Sequence, residues 1–325
     1  MIPPVKEHGA ALLTVLLLVA VIAVLAAHGI DRLAGAMKLA SNSRELSQAK
    51  AYLVAAESIA LKSSEDIVAI SPGKTTNIGN WNGSEQSYPV PGGMINATLS
   101  DGGNCFNINS LVKQTGAEYS ARPAGIQQFI RLMRVLEVPE GDAFDIAASV
   151  TDWIDTDDDP AQNGAEDNHY QQLEKPYLSA NALIIDVSEI RAIKGVTTDV
   201  YRRIAPWLCA LPTTSLSPIN VNTLRPEQAP LLIMLSDNAD IVRARQFLGR
   251  RAISGYASLN DFWSQPFPAS MAADREVQAQ VKLSTRWFRI DMSVAMQSAL
   301  VEQRALIDAV RRPARLVHRQ RADIF

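Results

Sequence analysis

Residues 10–27 are apolar apart from Thr14, and the apolar character runs on to Ile30. About 20 such residues in a helix span roughly 30 Å, the thickness of bilayer hydrocarbon. The pattern then changes without stopping. Leu33, Met37, Ala40, Leu46, Ala49, Leu53, Ala56 and Ala60 recur at spacings of mostly three and four, and no proline intervenes before Pro72. This periodicity predicts one continuous helix from 10 to about 70, roughly 90 Å long. Its first half would lie in lipid and its second half would pack along a folded domain. Gly29 and Gly35 are weak points, each costing about 1 kcal/mol relative to alanine.

Residues 71–93 are rich in Gly, Pro, Asn and Ser and read as turns around short strands, with candidates at 88–90 and 94–99. Asp101-Gly102-Gly103 marks a turn before Cys105-Phe106-Asn107-Ile108-Asn109. Helical spacing follows at 126–137, limited by Pro139, and at 143–154. A helix pair at 187–194 and 198–208 flanks Gly195, 211–218 is a linker, and 227–235, 238–250 and 259–263 are further helices. From 287 the period switches to two, with Phe288, Ile290, Met292, Val294 and Met296 on one face of a strand. Residues 299–310 suit a strand or a helix equally, and 315–319 a last short strand. This order predicts an α+β fold with a mostly helical domain inserted into it. Phe106-Asn107-Ile108-Asn109-Ser110-Leu111 echoes Ile219-Asn220-Val221-Asn222-Thr223-Leu224. Asn and Ser/Thr before a helix cap free N–H groups. The echo is either a pair of structural corners bracketing the insertion or a coincidence of short motifs.

A chain of 325 residues can bury a sizeable core and form two subdomains. A net charge of -3 lacks the basic footprint of a nucleic-acid binder. With only 2 cysteines the chain is not a disulfide-dense scaffold. Cys105 and Cys209 form one bridge in an oxidising compartment or stay as two buried thiols. There is no Gly-rich phosphate loop, no Gly-x-Ser-x-Gly elbow and no metal-His motif, so a structural subunit is expected rather than an enzyme.

Ahead of the apolar run, residues 1–9 carry Lys6, Glu7 and His8 and end at Gly9. A secretory signal places its small cleavage residues after the apolar core, and Ala26, Ala27 and Gly29 keep that reading open. With a small residue before the core, the segment resembles the class III leader and N-terminal helix of type IV pilins and type II secretion pseudopilins. The resemblance implies that a prepilin peptidase cuts after Gly9 and that Ala10 becomes an N-methylated first residue. The family usually carries glutamate at the fifth mature position, which is Thr14 here. In a filament that glutamate is thought to neutralise the N-terminal amine of the preceding subunit. A buried carboxylate without the amine would be costly. A subunit lacking it fits the tip, where no neighbour stands above.

The strongest chemical feature is the acidic run Asp152-Trp153-Ile154-Asp155-Thr156-Asp157-Asp158-Asp159-Pro160, continued by Asn163, Gly164, Glu166 and Asp167. So many carboxylates on a short turn repel each other unless a cation neutralises them. Calcium suits them, because it takes six to eight oxygen ligands in flexible geometry. Asp155, Asp157 and Asp159 fall at the first, third and fifth positions of an EF-hand loop and Glu166 at the twelfth. Pro160 stands where that loop needs glycine, so a calcium loop of another kind is expected. The other reading is a solvated acidic turn. Zinc is disfavoured, since His169 is the one nearby histidine and no paired cysteines accompany it.

The same run, with Gly164-Ala165-Glu166, Tyr170 and Pro176-Tyr177, resembles the K-type minor pseudopilin family. Ser188-Glu189-Ile190, Ile193-Lys194-Gly195-Val196, Ala205-Pro206-Trp207 and Ile219-Asn220-Val221-Asn222-Thr223 continue the likeness over nearly the whole chain. The resemblance implies a pilin-like α+β fold: a leader at 1–9, a transmembrane half-helix at 10–30, a pilin-like domain at 31–112 and 281–325, and a helical insertion at 113–280. It implies calcium held by Asp155, Asp157, Asp159, Glu166 and Asp167, joined by Asp152 and Asn163. It further implies a single-pass protein of the bacterial inner membrane with its large domain in the periplasm. Such a subunit caps the pseudopilus tip and helps initiate assembly for protein export across the outer membrane. Its implied partners are minor pseudopilins of the I and J types, the prepilin peptidase, the inner-membrane assembly platform and secreted substrates.

A second reading stays in view. Gly195 between two short helices, with Arg243-Ala244-Arg245 and Gly255-Tyr256, resembles membrane-anchored helix-hairpin-helix DNA-uptake proteins. Its second hairpin, Ser236-Asp237-Asn238-Ala239-Asp240, is acidic and would repel phosphate. The clusters Arg243, Arg245, Arg250, Arg251 and Arg311, Arg312, Arg315, Arg319, Arg321 also read as solvated faces.

Overall fold

The computed structural model describes residues 8–271 and 273–324; most of the expected leader, residues 1–7, lies outside them. The chain opens with α1 (His8–Ile70), followed by strands β1 (Glu85–Val90), β2 (Gly93–Asp101) and β3 (Phe106–Asn107). A small hairpin follows, β4 (Val112–Thr115) and β5 (Glu118–Ala121), then helices α2 (Pro123–Val135), α3 (Glu140–Ile154), α4 (Asp167–Tyr170) and α5 (Thr198–Ile204). After β6 (Leu208–Cys209) come α6 (Pro230–Ile233), α7 (Ile241–Arg250), α8 (Leu259–Trp263), α9 (Pro266–Ser270) and α10 (Arg275–Gln280). The chain closes with β7 (Trp287–Met296), β8 (Leu300–Asp308) and β9 (Arg315–Ile324).

Helix α1 is continuous, as its periodicity predicts, and Gly29 and Gly35 do not interrupt it. Among the described residues it is the one helix long and apolar enough to cross a membrane, with a mean hydropathy of 3.0 in its most apolar window. Its first part is exposed, and burial starts only where it meets the sheet, at Ala49, Leu53 and Ala60. Small residues at two of these positions let the helix approach closely.

The sheet has the order β1-β2-β7-β8-β9, antiparallel throughout. The β1–β2 hairpin turns through Pro91-Gly92, where Gly92 takes φ 82, a left-handed conformation that suits glycine. The period-two reading of β7 holds: Phe288, Ile290, Met292 and Val294 are buried beneath α1, while Arg289 faces outward. The ambiguous stretch 299–310 is a strand, because it pairs with β7 on one side and β9 on the other. The last strand is longer than the expected 315–319.

Three carboxylates of α1 key it to the sheet. Glu45 accepts from the backbone N and Oγ of Ser298, each at 2.7 Å. Glu57, buried, accepts from Gln303 at 2.8 Å and from two guanidinium nitrogens of Arg319 at 2.8 and 2.6 Å. Glu65 accepts from the backbone N of Ala314 at 2.7 Å.

A second hydrophobic core fills the helical unit, running from Phe106 to Val281, with Phe106 stacked on Phe129 at 5.0 Å. The echoed motifs are equivalent corners in its framework. The Asn107 and Asn220 side chains each accept from the backbone N two residues on, at 3.3 and 3.0 Å. Ser110 and Thr223 hydroxyls donate back to the carbonyls of Asn107 and Asn220. Asn109 clamps Ile184 and Leu211, and Asn222 clamps Tyr256. Beside these corners, Cys105 and Cys209 are joined as a disulfide with Cα atoms 5.8 Å apart. Buried Asp101 sits where the sheet meets the unit, accepting from Thr223 at 2.6 Å, from Thr285, and from the backbone N of Gly103 at 3.0 Å. The unit joins at the far end of α1 from the apolar half, where the backbone N of Thr75 donates to Leu283 at 2.8 Å.

Candidate metal centre

Helix α3 ends at Ile154, and its last turn delivers Asp152 and Asp155 to the edge of the helical core. Acids at a helix C-terminus meet the negative end of the dipole, so the helix does not stabilise them. The loop returns through residues 156–165 to Glu166, the N-cap of α4. Carboxylate oxygens of Asp155, Asp157 and Glu166 lie within 4.8 Å of one another. Asp155 and Glu166 are buried, whereas Asp157 is exposed at the mouth.

The centre is electrostatically frustrated. Asp155 Oδ1 and Glu166 Oε1 are buried with no hydrogen-bond partner among the described residues. Burial first, then the charges of Asp157 and Asp152, pushes the Asp155 carboxyl up to about 7. Burial, and then Asp152, pushes Glu166 up to about 7 as well, against a bond from Ser179. Burial also raises Asp152, although Ala161 N donates to both its oxygens at 3.2 Å.

The other expected ligands are placed differently. Asp167 is engaged by Ser179, accepting from its N at 2.8 Å and its Oγ at 2.6 Å. Asn163 donates to Asp145 at 2.9 Å. Asp159 is exposed, its backbone N donating to Asp157 at 3.1 Å. The structure therefore gathers Asp155, Asp157 and Glu166, while Asp152, Asp167 and Asn163 are engaged by Ala161, Ser179 and Asp145.

Residues outside the acidic run also shape the site. Lys194 braces the loop by donating to the carbonyls of Asn163 and Gly164 at 3.1 and 3.0 Å. Gly164 packs so closely on Asp152 that a Cβ there would overlap its carboxylate. Asn181, whose N donates to the Trp153 carbonyl at 3.1 Å, also holds a buried Oδ1 without a partner among the described residues. Nothing in the sequence spacing marks Ser179, Asn181 or Lys194. Chemically, the donor set is all oxygen and acidic, with unpaired acceptors, which is what a hard divalent cation takes.

Family models described as type II secretion system protein K match residues 104–213 and 219–285. Type II secretion system protein K of Klebsiella pneumoniae is 35% identical over 318 residues, covering 97% of this chain and 96% of that protein. The chain belongs to the type II secretion system protein K family. A second member, from Pectobacterium carotovorum subsp. carotovorum, is 32% identical with the same coverage. The fold agrees with a crystal structure of the GspK-GspI-GspJ complex from enterotoxigenic Escherichia coli, at TM-score 0.75 and 28% identity over 86% of this chain and 98% of that one. The α+β fold and the K-type resemblance both stand, and the family models and relatives that match carry the name of a type II secretion system component.

Proposed function

We propose that this chain caps the tip of a periplasmic pseudopilus and helps start its assembly, anchored by α1 in the inner membrane with its large domain in the periplasm. Thr14 carries the reading. Its hydroxyl donates to the Ala11 carbonyl at 2.9 Å, so it needs no neighbour's amine. The helical unit supports it, because it sits at the end of α1 where a subunit stacked above would have to go. Its partners in this reading are the I and J minor pseudopilins, by likeness to the complex of its solved relative. The prepilin peptidase and the assembly platform act on it through the leader and apolar helix. Calcium fills the centre formed by Asp155, Asp157 and Glu166, and holds the acidic loop by neutralising it.

Mass analysis of the membrane-extracted protein tests the placement. The expected product begins at an N-methylated Ala10; an uncut leader, or a cut near Ala27, overturns the reading. For calcium, thermal melting is expected to shift upward with calcium and not with zinc. The shift is expected to vanish in Asp157→Ala with Glu166→Ala, and a shift that survives both substitutions refutes the ligand assignment.

A further inference from the structure

Four buried side-chain atoms lack a hydrogen-bond partner among the described residues, and three of them are oxygens. Asp155 Oδ1 and Glu166 Oε1 belong to the carboxylate centre, and the third is Asn181 Oδ1. The fourth, His318 Nε2, is a nitrogen on the sheet that faces Asp186 at 3.9 Å.

Two contacts place Asn181 at the centre. Its N donates to the Trp153 carbonyl at 3.1 Å, so its side chain starts from the turn of α3 that carries Asp152 and Asp155. Two residues earlier, Ser179 Oγ donates to Glu166 Oε2 at 3.2 Å. The segment from Ser179 to Asn181 therefore runs from one buried acid to the turn that holds the other. Asn181 takes φ 44, a left-handed conformation that asparagine adopts more readily than most residues. Just beyond it, Asn109 donates to the Ile184 carbonyl and accepts from its N, each at 2.9 Å, which ties the segment to the first asparagine corner.

Other oxygens of the loop already have donors. Asp152 accepts from Ala161 N, Asp167 accepts from Ser179, and the Asn163 and Gly164 carbonyls accept from Lys194. The Asn163 amide is turned to Asp145. A buried acceptor left without a donor is costly, and a cation removes that cost. Charge also favours an amide at this place. Ionised Asp155, Asp157 and Glu166 together exceed the charge of one divalent ion, so a further carboxylate would add repulsion. An amide oxygen adds a ligand and no charge, and calcium accepts it as one of its six to eight oxygens.

We propose that Asn181 Oδ1 is a fourth side-chain ligand of the centre, so that the ion stitches segment 179–181 to the end of α3 and to Glu166. This rests on the divalent-cation reading of the centre and adds to it a ligand from outside the acidic run.

The test uses the full chain in lipid nanodiscs, titrated with calcium and with terbium, whose luminescence is sensitised through Trp153. Asn181→Gly removes the amide and suits the left-handed backbone, whereas Asn181→Asp keeps an oxygen at the same reach. Asn181→Gly is expected to weaken calcium binding about tenfold without lowering the cation-free melting temperature, and Asn181→Asp is expected to restore binding. Terbium luminescence lifetimes in H2O and D2O count the waters on the ion. The glycine variant is expected to carry about one more water than wild type, a change that a merely structural asparagine would not produce. A wild-type chain that binds neither ion overturns the divalent-cation reading and this inference with it. Calcium binding by wild type, with an unchanged affinity or an unchanged water count in Asn181→Gly, overturns the ligand assignment alone and leaves the centre standing.

Discussion

At the scale of residues, the acidic centre makes stability depend on pH in an unusual direction. Asp155 and Glu166 hold their protons to about 7 in the cation-free fold, whereas unfolded carboxylates release them near about 4. Between those values the native state binds more protons, so its stability falls as pH rises. Melting of cation-free protein from about pH 4.5 to about pH 7.5 is expected to show a decline that is absent in Asp155→Asn with Glu166→Gln. Calcium is expected to remove the decline and to release protons on binding; equal pH profiles for the two proteins would refute the frustrated centre. Gly164→Ala tests the packing of the same loop. Its Cβ meets the Asp152 carboxylate, so a loss of about 1–3 kcal/mol in denaturant unfolding is expected. The acidic run itself was plain in the sequence, and so was its oxygen chemistry. Which side chains converge was not, because Asp167, Asn163 and Asp152 answer to Ser179, Asp145 and Ala161, contacts that spacing along the run does not encode.

At the scale of elements, the Glu57–Arg319–Gln303 cluster fixes α1 on the sheet. Removing the carboxylate leaves a guanidinium and an amide without their acceptor beside a core. Glu57→Ala is expected to cost about 1–3 kcal/mol by denaturant unfolding, with Glu57→Gln costing less; a neutral result in both would show that apolar packing alone sets the helix register. Long or strictly periodic elements were legible. The predicted helix reaches Ile70, and the limits of β7 and α8 agree with their patterns. The β4–β5 hairpin, α9 and α10 were not read. The hairpin strands are four residues each and mostly polar, and α9 holds two prolines in five residues. The expected helix at 187–194 is a six-residue 3-10 helix, and that at 227–235 is split into a 3-10 turn and a four-residue helix that starts at Pro230.

At the scale of the whole molecule, two cores meet at a polar joint, and the disulfide closes the helical unit near that joint. The cysteines are separated by 104 residues, so the bridge is expected to contribute about 4–5 kcal/mol by constraining the unfolded chain. Cys105→Ser with Cys209→Ser should therefore raise hydrogen exchange through the helical core before the sheet core; uniform exchange in both would show one cooperative body. The paired asparagine corners gave the sequence its one long-range hint of this frame. The three keyed carboxylates of α1 have a mechanical consequence. Glu45, Glu57 and Glu65 hold a turn, a strand and a loop of the sheet at successive points along one rod. Slipping by a single helical turn, about 5.4 Å, would break all three attachments at once. A pull on the folded part is therefore passed to α1 at three points together, and the helix takes it up as one rigid rod.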